Sequence, residues 1–536
     1  MRTIDCFFIG HNEIDMMRQR QLLRLSYGEN SHLYNETNMS KLGYIKYKGN
    51  LYSSSQIFNK INQEENIVNK SFSDVGISET FSLSIAYLGT FLHKNGFSID
   101  FINSFNKEKD YLASVLSNNK VLSVVIPTTY YVFASPILDI ISFIRKYNTR
   151  TKIIVGGPYV ANRVRSLDEE ALQRVFKAMD ADIFIYNTEG EKALGKVMHA
   201  IKNNLPLNNI KNIFYKNKDK YWYTGHVHES NELDENIVQW ELFADRVGNF
   251  VNVRTSISCP FTCQFCNYPI YAGKYRQASI DTIEEEMNRL NNISGITGMW
   301  IIDDTFNFPP SRFKEILKMM IRNRYKFRWH SFLRCQYLDE ETVRLMKESG
   351  CDHVLLGIES GSQKILNNMS KNTTVHKYYD GISLLNKYEI ASTASMIVGF
   401  PGETLETYTD TVKLIEEAQP TFFRSHMWYY DSNAPISKQK DKYSLGGEGL
   451  EWKHDTMDSQ MACTLNEGLF KSIKNSIYET ECPIPFHLLN RGISISKIQR
   501  FLSSFNDCIK EKIKKPVEEE TSFEMYKKLR DSLISE

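Results

Sequence analysis

The sequence has no excess charge of either sign and no apolar run long enough to span a bilayer. Lys and Arg together number 65 and Asp and Glu 64, so the formal net charge is +1. At the level of the whole chain, this balance shows no basic footprint for nucleic acid or for an anionic membrane. The apolar part of residues 1–10 is too short for a signal peptide. We therefore expect a cytoplasmic protein with no nucleic-acid or membrane partner.

Cysteine is also scarce, because nine residues in a chain of 536 are too few for a disulfide scaffold. Six of the nine are scattered, and we expect them to be reduced and mostly inert: Cys6, Cys335, Cys351, Cys463, Cys482 and Cys508. The other three stand within eight residues, in Cys259-Pro-Phe-Thr-Cys263-Gln-Phe-Cys266. The apolar, β-prone residues 250–257 precede them, so a strand is expected to end here in a loop that folds back.

Thiolates on such a loop can converge on one point. Soft sulfur ligands select iron–sulfur clusters, zinc or copper(I). Three cysteines leave one iron of a four-iron cluster without a protein ligand, and an open metal position can bind substrate. The alternative is three unrelated buried or zinc-bound cysteines.

The Cys-x3-Cys-x2-Cys spacing, with Phe265 before the last cysteine, resembles the radical S-adenosylmethionine (radical SAM) superfamily. The resemblance implies a [4Fe–4S] cluster on Cys259, Cys263 and Cys266. It also implies that the open iron chelates the amino and carboxylate groups of SAM.

Residues 1 to about 220 alternate strand and helix signals, which predicts a doubly wound, Rossmann-like parallel sheet. The predicted strands are residues 3–9, 98–102, 121–126, 152–155 and 182–186, and an edge hairpin is expected at 212–223. Ligands bind such sheets outside the carboxyl ends of the strands. The polar residues 27–75 interrupt this pattern and are expected to form a long excursion or lid.

The turns of this region resemble the cobalamin (B12)-binding domain of one large radical SAM subclass. The resemblance implies cofactor contacts by Thr128, Thr129, Gly156, Gly157 and Glu189. Glycine lets the backbone approach a bulky ligand, and threonine can hydrogen-bond corrin amides or the nucleotide tail. The alternative is a set of ordinary βα turns. The Asp-x-His-x-x-Gly motif of many cobalamin proteins is absent, and His11, after the first strand, is not assigned as a cobalt ligand.

Residues 246–430 show six β/α units, which suit a partial barrel better than a closed eight-fold one. Polar residues follow the predicted strands. The radical SAM resemblance implies that they hold SAM: Asp303, Asp304, Arg334, Glu359 and Ser360. A solvated acidic turn and a surface ion pair are the alternatives for the acidic pair and for Arg334.

Beyond Asp431 the alternation stops, and amphipathic helices are expected at 466–480 and 494–506. The predicted architecture is thus α/β: a cobalamin-binding domain with linker (1–245), a partial (β/α)6 barrel (246–430) and a small, mostly helical C-terminal domain (431–536). Residues 4–13 and 452–457 resemble the radical SAM P-methyltransferase (PhpK-like) family. Trp452 and His454 are candidates for a segment that covers substrate, and an ordinary packed domain is the alternative.

The resemblances imply a cobalamin-dependent radical SAM methyltransferase. A 5′-deoxyadenosyl radical would activate an unactivated carbon or a phosphinate phosphorus, and methylcobalamin would supply the methyl group, in natural-product biosynthesis. The expected partners are a small-molecule or carrier-bound substrate and an external electron donor such as flavodoxin or ferredoxin. Three alternatives remain: cyclisation or rearrangement without methylation, a first domain that has lost cobalamin, and a non-catalytic electron-transfer protein.

Overall fold

The computed structural model contains two compact units. It describes residues 2–13, 40–68, 74–76, 79–131, 133–513 and 520–534, with isolated residues at 18, 21, 22, 24, 25 and 28. The first unit comprises Met1–Asp15, Ile77–Asn252 and Asp281–Gly295, and the second comprises Met16–Gly76, Val253–Ile280 and Ile296–Glu536. Residues 431–536 thus belong to the same compact unit as most of 246–430. The three-domain boundaries remain a prediction.

The first unit is built on a seven-stranded sheet whose order is β4-β1-β5-β6-β7-β8-β9. Its strands are β1 (Thr3–His11), β4 (Ile99–Ser104), β5 (Lys120–Pro127), β6 (Lys152–Gly156), β7 (Ile183–Ile185), β8 (Ile213–Asn217) and β9 (Lys220–Tyr223). The first five run parallel, whereas β8 and β9 form an antiparallel hairpin at the edge. The predicted doubly wound sheet and edge hairpin are confirmed.

Helices cover both faces of this sheet. They are α2 (Leu83–Lys94), α3 (Lys109–Asn118), α4 (Ser135–Tyr147), α5 (Pro158–Ser166), α6 (Glu169–Met179) and α7 (Glu191–Lys202). On one face, Phe7 of β1 belongs to a core with α3, α4 and α6. On the other, Ser123 of β5 contacts Met198 of α7. Burial on both faces explains why β1 is an almost continuous apolar run.

The second unit contains six parallel strands in the order β13-β14-β15-β16-β17-β21. They are β13 (Gly298–Ile301), β14 (Arg328–Leu333), β15 (Cys351–Glu359), β16 (Ala391–Val398), β17 (Phe422–Met427) and β21 (Ile477–Tyr478). Beside β13, the carbonyl of Val253, the last residue of β10 (Phe250–Val253), accepts a hydrogen bond from the amide of Ile302.

Helices of this unit connect and cover the strands. These helices are α8 (Tyr268–Ala272), α9 (Ile280–Asn291, mostly in the first unit), α10 (Pro310–Asn323), α11 (Glu340–Glu348), α12 (Gln363–Asn368), α13 (Val375–Lys387), α14 (Leu405–Ala418), α15 (Ser459–Ser472), α16 (Ile484–Leu489), α17 (Ile495–Ile513) and α18 (Phe523–Ile534). The short strands β11 (Ser256–Ile257) and β12 (Arg276–Gln277) pair antiparallel at the start of the unit. Alternating strands and helices confirm the predicted α/β barrel-like domain.

The strand register separates two faces of this sheet. One face is buried throughout β13 to β17, for example at Met299, Leu356 and Phe423. The opposite face, called the lumen face below, stays partly accessible toward the carboxyl ends of the strands: Trp300, Phe332, Gly357, Ser395, Ile397, Arg424 and His426. At its amino end the ring of Phe486 stacks on His330 at 5.0 Å and covers the lumen face there. Ligand-sized space is therefore expected near the strand carboxyl ends.

The C-terminal segment differs from expectation in two places. The predicted helix at 466–480 is wrong in its bounds, because α15 ends at Ser472 and residues Ile477–Tyr478 form β21 beside β17. The edge of β17 offers unpaired backbone groups, and pairing with them outweighs the local helical pattern. The region 446–458 forms the antiparallel strands β18 (Gly446–Glu448), β19 (Glu451–His454) and β20 (Met457–Asp458).

Part of the predicted excursion at 27–75 is ordered within the second unit, and residues 29–39 and 69–73 lie outside the described residues. Strands β2 (Ile45–Tyr47) and β3 (Asn50–Tyr52) form a hairpin, and α1 (Ser54–Glu65) follows. The ring of Tyr47 stacks on Tyr526 at 3.8 Å, and the Ser55 hydroxyl donates to Glu481. Within the part of the chain that the structure describes, every helix is too short or too polar to cross a bilayer.

A steric prediction follows from the turn after β15. A Cβ atom on Gly361 would lie 2.4 Å from the carbonyl oxygen of Asp410 and 2.6 Å from the Cα of Thr411, both on α14. We expect Gly361→Ala to lower the free energy of unfolding by about 1–3 kcal/mol or more, because backbone must move. Thermal unfolding measures this. Gly43→Ala, where a Cβ would meet nothing within 4 Å, is the matched control, and equal effects of the two would contradict the packing account.

Candidate active site

The three clustered cysteines lie on one loop between β11 and α8. Ser258, immediately before Cys259, has a φ of +71°, a left-handed conformation that turns the chain sharply out of β11. The Ser258 hydroxyl donates to the carbonyl of Gly273 at 2.7 Å, and the Cys266 amide donates to the carbonyl of Cys263 at 3.1 Å. The first bond ties the start of the loop to the residue after α8, and the second forms a turn within it, so the chain folds back after β11 as predicted.

Protein atoms crowd the thiols. Burial raises the pKa of Cys259, and it raises that of Cys266 to about 12, with the neighbouring thiols and Asp304 adding to the effect. Metal binding must therefore displace the thiol protons. Among the described residues, no three His, Cys, Asp or Glu side chains are arranged around one metal ion. A four-iron cluster takes one cysteine per iron, and three thiols on one loop fit that donor set.

Asp303, one of the predicted SAM ligands, is buried and holds the segment that precedes the cysteine loop. Its carboxylate accepts four hydrogen bonds, from the amides and hydroxyls of Thr255 and Ser256, at 2.6–3.1 Å. Burial raises its pKa and these hydrogen bonds oppose the rise. Because both oxygens are engaged, Asp303 positions the start of the cysteine segment.

Asp304, by contrast, lies in the turn after β13 and is exposed. It lies in a recess, where burial and the adjacent Asp303 carboxyl raise its pKa to about 7. Its neighbour Thr305 contacts Cys259, with the hydroxyl oxygen 3.5 Å from the sulfur. Of the two predicted carboxylates, Asp304 is the one available to a ligand.

Arg334 follows β14 and is buried against the cysteine loop. Its guanidinium carbon lies 3.7 Å from the ring centroid of Phe261, and Nη2 lies 3.8 Å from the sulfur of Cys263. Nη2 also donates to the carbonyl of Lys371 at 2.6 Å. Nε and Nη1 are buried and find no hydrogen-bond partner in the described part of the chain. Unpaired buried donors are costly, and a planar guanidinium edge matches a carboxylate, so this residue fits the predicted contact with the SAM carboxylate.

Glu359 ends β15 at a register shift and has a φ of +67°. Its carboxylate forms a buried ion pair with Lys371, at 2.7 Å. A Cβ atom on Gly357 would lie 2.7 Å from the Glu359 Oε1 and 3.0 Å from the Lys371 Nζ, so glycine leaves room for the pair. Ser360, also predicted to contact SAM, is fully buried, and its hydroxyl bonds Thr411 and the amide of Ser362. The Ser360 hydroxyl therefore holds the turn.

Other residues fix the cysteine loop, and sequence reasoning missed them. The backbone amide of Gln264 donates to the carbonyl of Met369 at 2.9 Å. The backbone carbonyl of Gln264 accepts from the amide of Ile436 at 3.0 Å. The ammonium of Lys371 lies 5.6 Å from the ring centroid of Phe265. The side chain of Asn267 hydrogen-bonds Asp431. These partners stand about 100–170 residues away and belong to no motif, so no local signal could have found them.

The first unit places a second candidate site at a topological switch point. The parallel strands, taken in chain order, have the order 2-1-3-4-5, and the direction of winding reverses between β1 and β5. The carboxyl ends of these strands bring together His11 and Tyr130, whose rings lie 4.6 Å apart. The Tyr130 side chain is 37% exposed, and its hydroxyl accepts from Asn252 at 3.2 Å.

His11 is buried and its Nε2 donates to the carbonyl of Thr80 at 2.9 Å. Nδ1 is then the unprotonated nitrogen, and it has no partner among the described residues. Burial lowers the pKa of His11 to about 4, so the ring is neutral at physiological pH. The nitrogen that donates to Thr80 is not free for a metal, whereas Nδ1 keeps its lone pair, and leaving His11 out of the ligand set stays a prediction.

The predicted cobalamin contacts near this switch point differ in how accessible they are. Thr129 is exposed, and the backbone at Gly156 and Gly157 is partly accessible. The Thr128 hydroxyl instead donates to the Gly156 carbonyl at 2.8 Å and accepts from the Tyr159 amide at 3.1 Å. Gly157 has a φ of +108°, and a Cβ there would lie 3.0 Å from that hydroxyl. An exposed strand-end cradle with little side-chain bulk fits a large planar ligand.

Glu189 lies outside this cradle. It is buried, and its carboxylate accepts from the amide of Asn231 at 2.8 Å. Next to it, Glu229 accepts from the amides of Lys192 and Ala193 at the start of α7. Glu189 thus helps to fasten the linker segment.

Trp452 and His454 are buried against the end of β16. Their rings stack at 5.2 Å, and His454 Nε2 lies 3.1 Å from the carbonyl of Gly399. A Cβ atom on Gly399 would lie 2.5 Å from the Trp452 ring. This is close packing, and a role in covering substrate stays a prediction.

Comparisons with known proteins agree with this geometry. Residues 253–415 match the Radical SAM superfamily. An uncharacterized methyltransferase of Pyrococcus horikoshii is 28% identical over 333 residues, which cover 59% of this chain and 71% of the relative. An anaerobic magnesium-protoporphyrin IX monomethyl ester cyclase of Cereibacter sphaeroides is 25% identical over 279 residues, 50% of this chain and 43% of that relative.

Among solved structures, the fold resembles that of the radical SAM methyltransferase TsrM of Kitasatospora setae, solved with cobalamin and a [4Fe–4S] cluster bound. The TM-score is 0.56 at 17% identity, and the match covers 68% of this chain and 76% of that chain. The likeness is one of fold.

A substitution of Arg334 tests its predicted contact. We expect Arg334→Gln to weaken SAM binding to the reconstituted protein by about 10- to 100-fold, because a hydrogen bond to a charged group contributes about 1.5–3 kcal/mol. Equilibrium dialysis with radiolabelled SAM measures the affinity, and cluster absorbance checks that the loop is intact. Arg344→Gln removes the same charge from an exposed helical position and is the control. Unchanged SAM affinity with an intact cluster would rule the contact out.

Proposed function

We propose that this chain, whose residues 253–415 form a radical SAM domain, is a cobalamin-dependent radical SAM methyltransferase. Its substrate would be a small or carrier-bound molecule, methylated at an unactivated carbon or a phosphinate phosphorus. The observation that most directly supports the proposal is the buried guanidinium of Arg334. Its Nη2 lies 3.8 Å from the sulfur of Cys263, and its Nε and Nη1 are buried donors without a partner among the described residues, available to the carboxylate of a chelated SAM.

The chain's own residues supply binding and orientation. Cys259, Cys263 and Cys266 would hold the cluster, and Arg334 and Asp304 would orient SAM by its carboxylate and ammonium. The bound cluster and SAM supply a 5′-deoxyadenosyl radical when an external donor delivers one electron. Asp303, Lys371 and Gln264 keep the cysteine loop in place.

The switch-point cradle of the first unit supports the cobalamin part of the proposal. Thr129, Tyr130, Gly156 and Gly157 would contact the cofactor there. Bound methylcobalamin supplies the methyl group. The similarity to an uncharacterized methyltransferase of Pyrococcus horikoshii is in line with methyl transfer.

A second candidate is a cobalamin-binding enzyme that cyclises its substrate without net methylation. The similarity to the monomethyl ester cyclase favours it. Both candidates share the cluster, SAM and cobalamin, and they differ in the fate of the SAM methyl group.

The cluster assignment predicts a specific loss. Anaerobically reconstituted protein should bind about one four-iron cluster and form 5′-deoxyadenosine from SAM and a reductant. In Cys263→Ala both should fall to background, because one iron loses its ligand. Iron analysis, absorbance and chromatography of the nucleoside measure this. Cys463→Ala, outside the loop, should retain both, and an active Cys263→Ala variant would refute the site.

Methyl transfer predicts a labelled cofactor. Incubation of the cobalamin-loaded protein with SAM carrying an isotopically labelled methyl group should give labelled methylcobalamin, detected by mass spectrometry. The matched control carries the label in the adenosyl group of SAM. Bound cobalamin that gains no label, with 5′-deoxyadenosine still formed, would favour the cyclase candidate.

A further inference from the structure

The wall of the lumen formed by β16 and β17 is polar. The register pairs Ser395 with Arg424 and Ile397 with His426. Ser395 and Arg424 are partly accessible and His426 is exposed, whereas the intervening residues Met396 and Ser425 are buried. Arg424 and His426 therefore point to the accessible side of the sheet.

The charge of Arg424 is not neutralised by an ion pair. Within the described residues no carboxylate lies at ion-pair distance from its guanidinium, and its Nε donates to His426 Nε2 at 2.9 Å. Acidic groups that act on it are the thiol of Cys482 and the carboxyl of Glu479, and Glu479 is buried. Burial raises the pKa of Glu479 to about 7, and Arg424 opposes that rise. An arginine in this setting retains positive potential toward the lumen.

His426 adds a neutral donor beside this charge. Arginine only donates hydrogen bonds, so His426 Nε2 is the accepting nitrogen and Nδ1 carries the proton. Although its surface is accessible, the surrounding protein desolvates the His426 ring, and this and the adjacent Arg424 lower its pKa to about 3, so the ring remains neutral. Its hydrogen bond also fixes the plane of the guanidinium. The fixed guanidinium of Arg424, the Nδ1–H group of His426 and the hydroxyl of Ser395 together match the acceptors of an oxyanion.

The opposite wall of the lumen is aromatic. Trp300 and Phe332 pack at 5.5 Å between ring centroids, and Phe332 is 36% exposed. A ligand that spans the lumen would meet rings on β13 and β14 and donors on β16 and β17. This arrangement fits a molecule with an apolar part and one anionic end.

We propose that Arg424, His426 and Ser395 bind an anionic end of the substrate, a carboxylate or a phosphorus oxyanion. The inference rests on the proposed function and adds the substrate class to it. Gly357, beside the Glu359–Lys371 pair, is in register with Ser395, which is in register with Arg424. Two strand spacings therefore separate the backbone of Arg424 from that of Gly357 by about 10 Å. The reacting atom of the substrate then lies nearer the cysteine loop, and the anion anchors the far end.

Anion probes test the site in the reconstituted holoenzyme with saturating SAM and no reductant. Methylphosphonate and acetate are titrated separately at constant ionic strength, with chloride as the replaced anion, and the melting temperature is recorded anaerobically. Specific binding gives a saturable rise. Arg424→Gln should raise the half-saturating concentration at least about tenfold, since charged hydrogen bonds are lost. Arg424→Lys keeps the charge without the fork and should show a smaller loss.

The control is Arg344→Gln, which should respond as the unmodified protein does. A response to methylphosphonate alone assigns a phosphorus oxyanion, a response to acetate alone a carboxylate, and a response to both supports the shared chemistry. No saturable response to either, or an Arg424→Gln variant that responds normally, overturns the inference. A loss of SAM affinity in Arg424→Gln as large as in Arg334→Gln also overturns it, because Arg424 would then serve SAM. Formation of 5′-deoxyadenosine without substrate tests the proposed function separately.

Discussion

The buried ion pair between Glu359 and Lys371 is the interaction on which the site depends. Taking two charges out of water is costly, and removal of one partner from such a pair typically costs about 3–5 kcal/mol. The pair persists because Gly357 leaves space for it. The backbone of Lys371 is also fixed, because its carbonyl accepts a hydrogen bond from Arg334. The backbone carbonyl of Lys371 thus holds the guanidinium of Arg334, and its ammonium contacts Phe265 in the cysteine loop.

The loop itself has little regular structure of its own, so its geometry comes from strand ends. Asp303 holds the segment before the first cysteine, Gln264 is hydrogen-bonded on both sides, and Ser258 turns the chain in a strained conformation. Strained non-glycine residues persist where the surroundings over-determine them. The result is a preorganised donor set that leaves the adjacent lumen free for ligands.

Much of the fold was predictable because its signals are local. Apolar runs followed by Gly, Thr and Asn marked β1, β5 and β6, and the spacing of three cysteines marked the loop. One local signal went unused: Ser53 and Gln56 form a capping box at the start of α1, within the segment predicted as an excursion. The strand β21 carried no usable signal, since two residues gain strand structure only from the edge of β17.

The sequence by itself determined the residue types of the site and their order, because ligand spacing and strand-end polarity are properties of neighbouring residues. Only the tertiary structure decided which side chains are free. Asp303 and Asp304 are adjacent, yet one accepts four hydrogen bonds and the other is exposed. Thr128, Ser360 and Glu189 are likewise engaged by partners from other parts of the chain. Hydrogen-bond partners far apart in the chain settle such questions, and no local pattern encodes them.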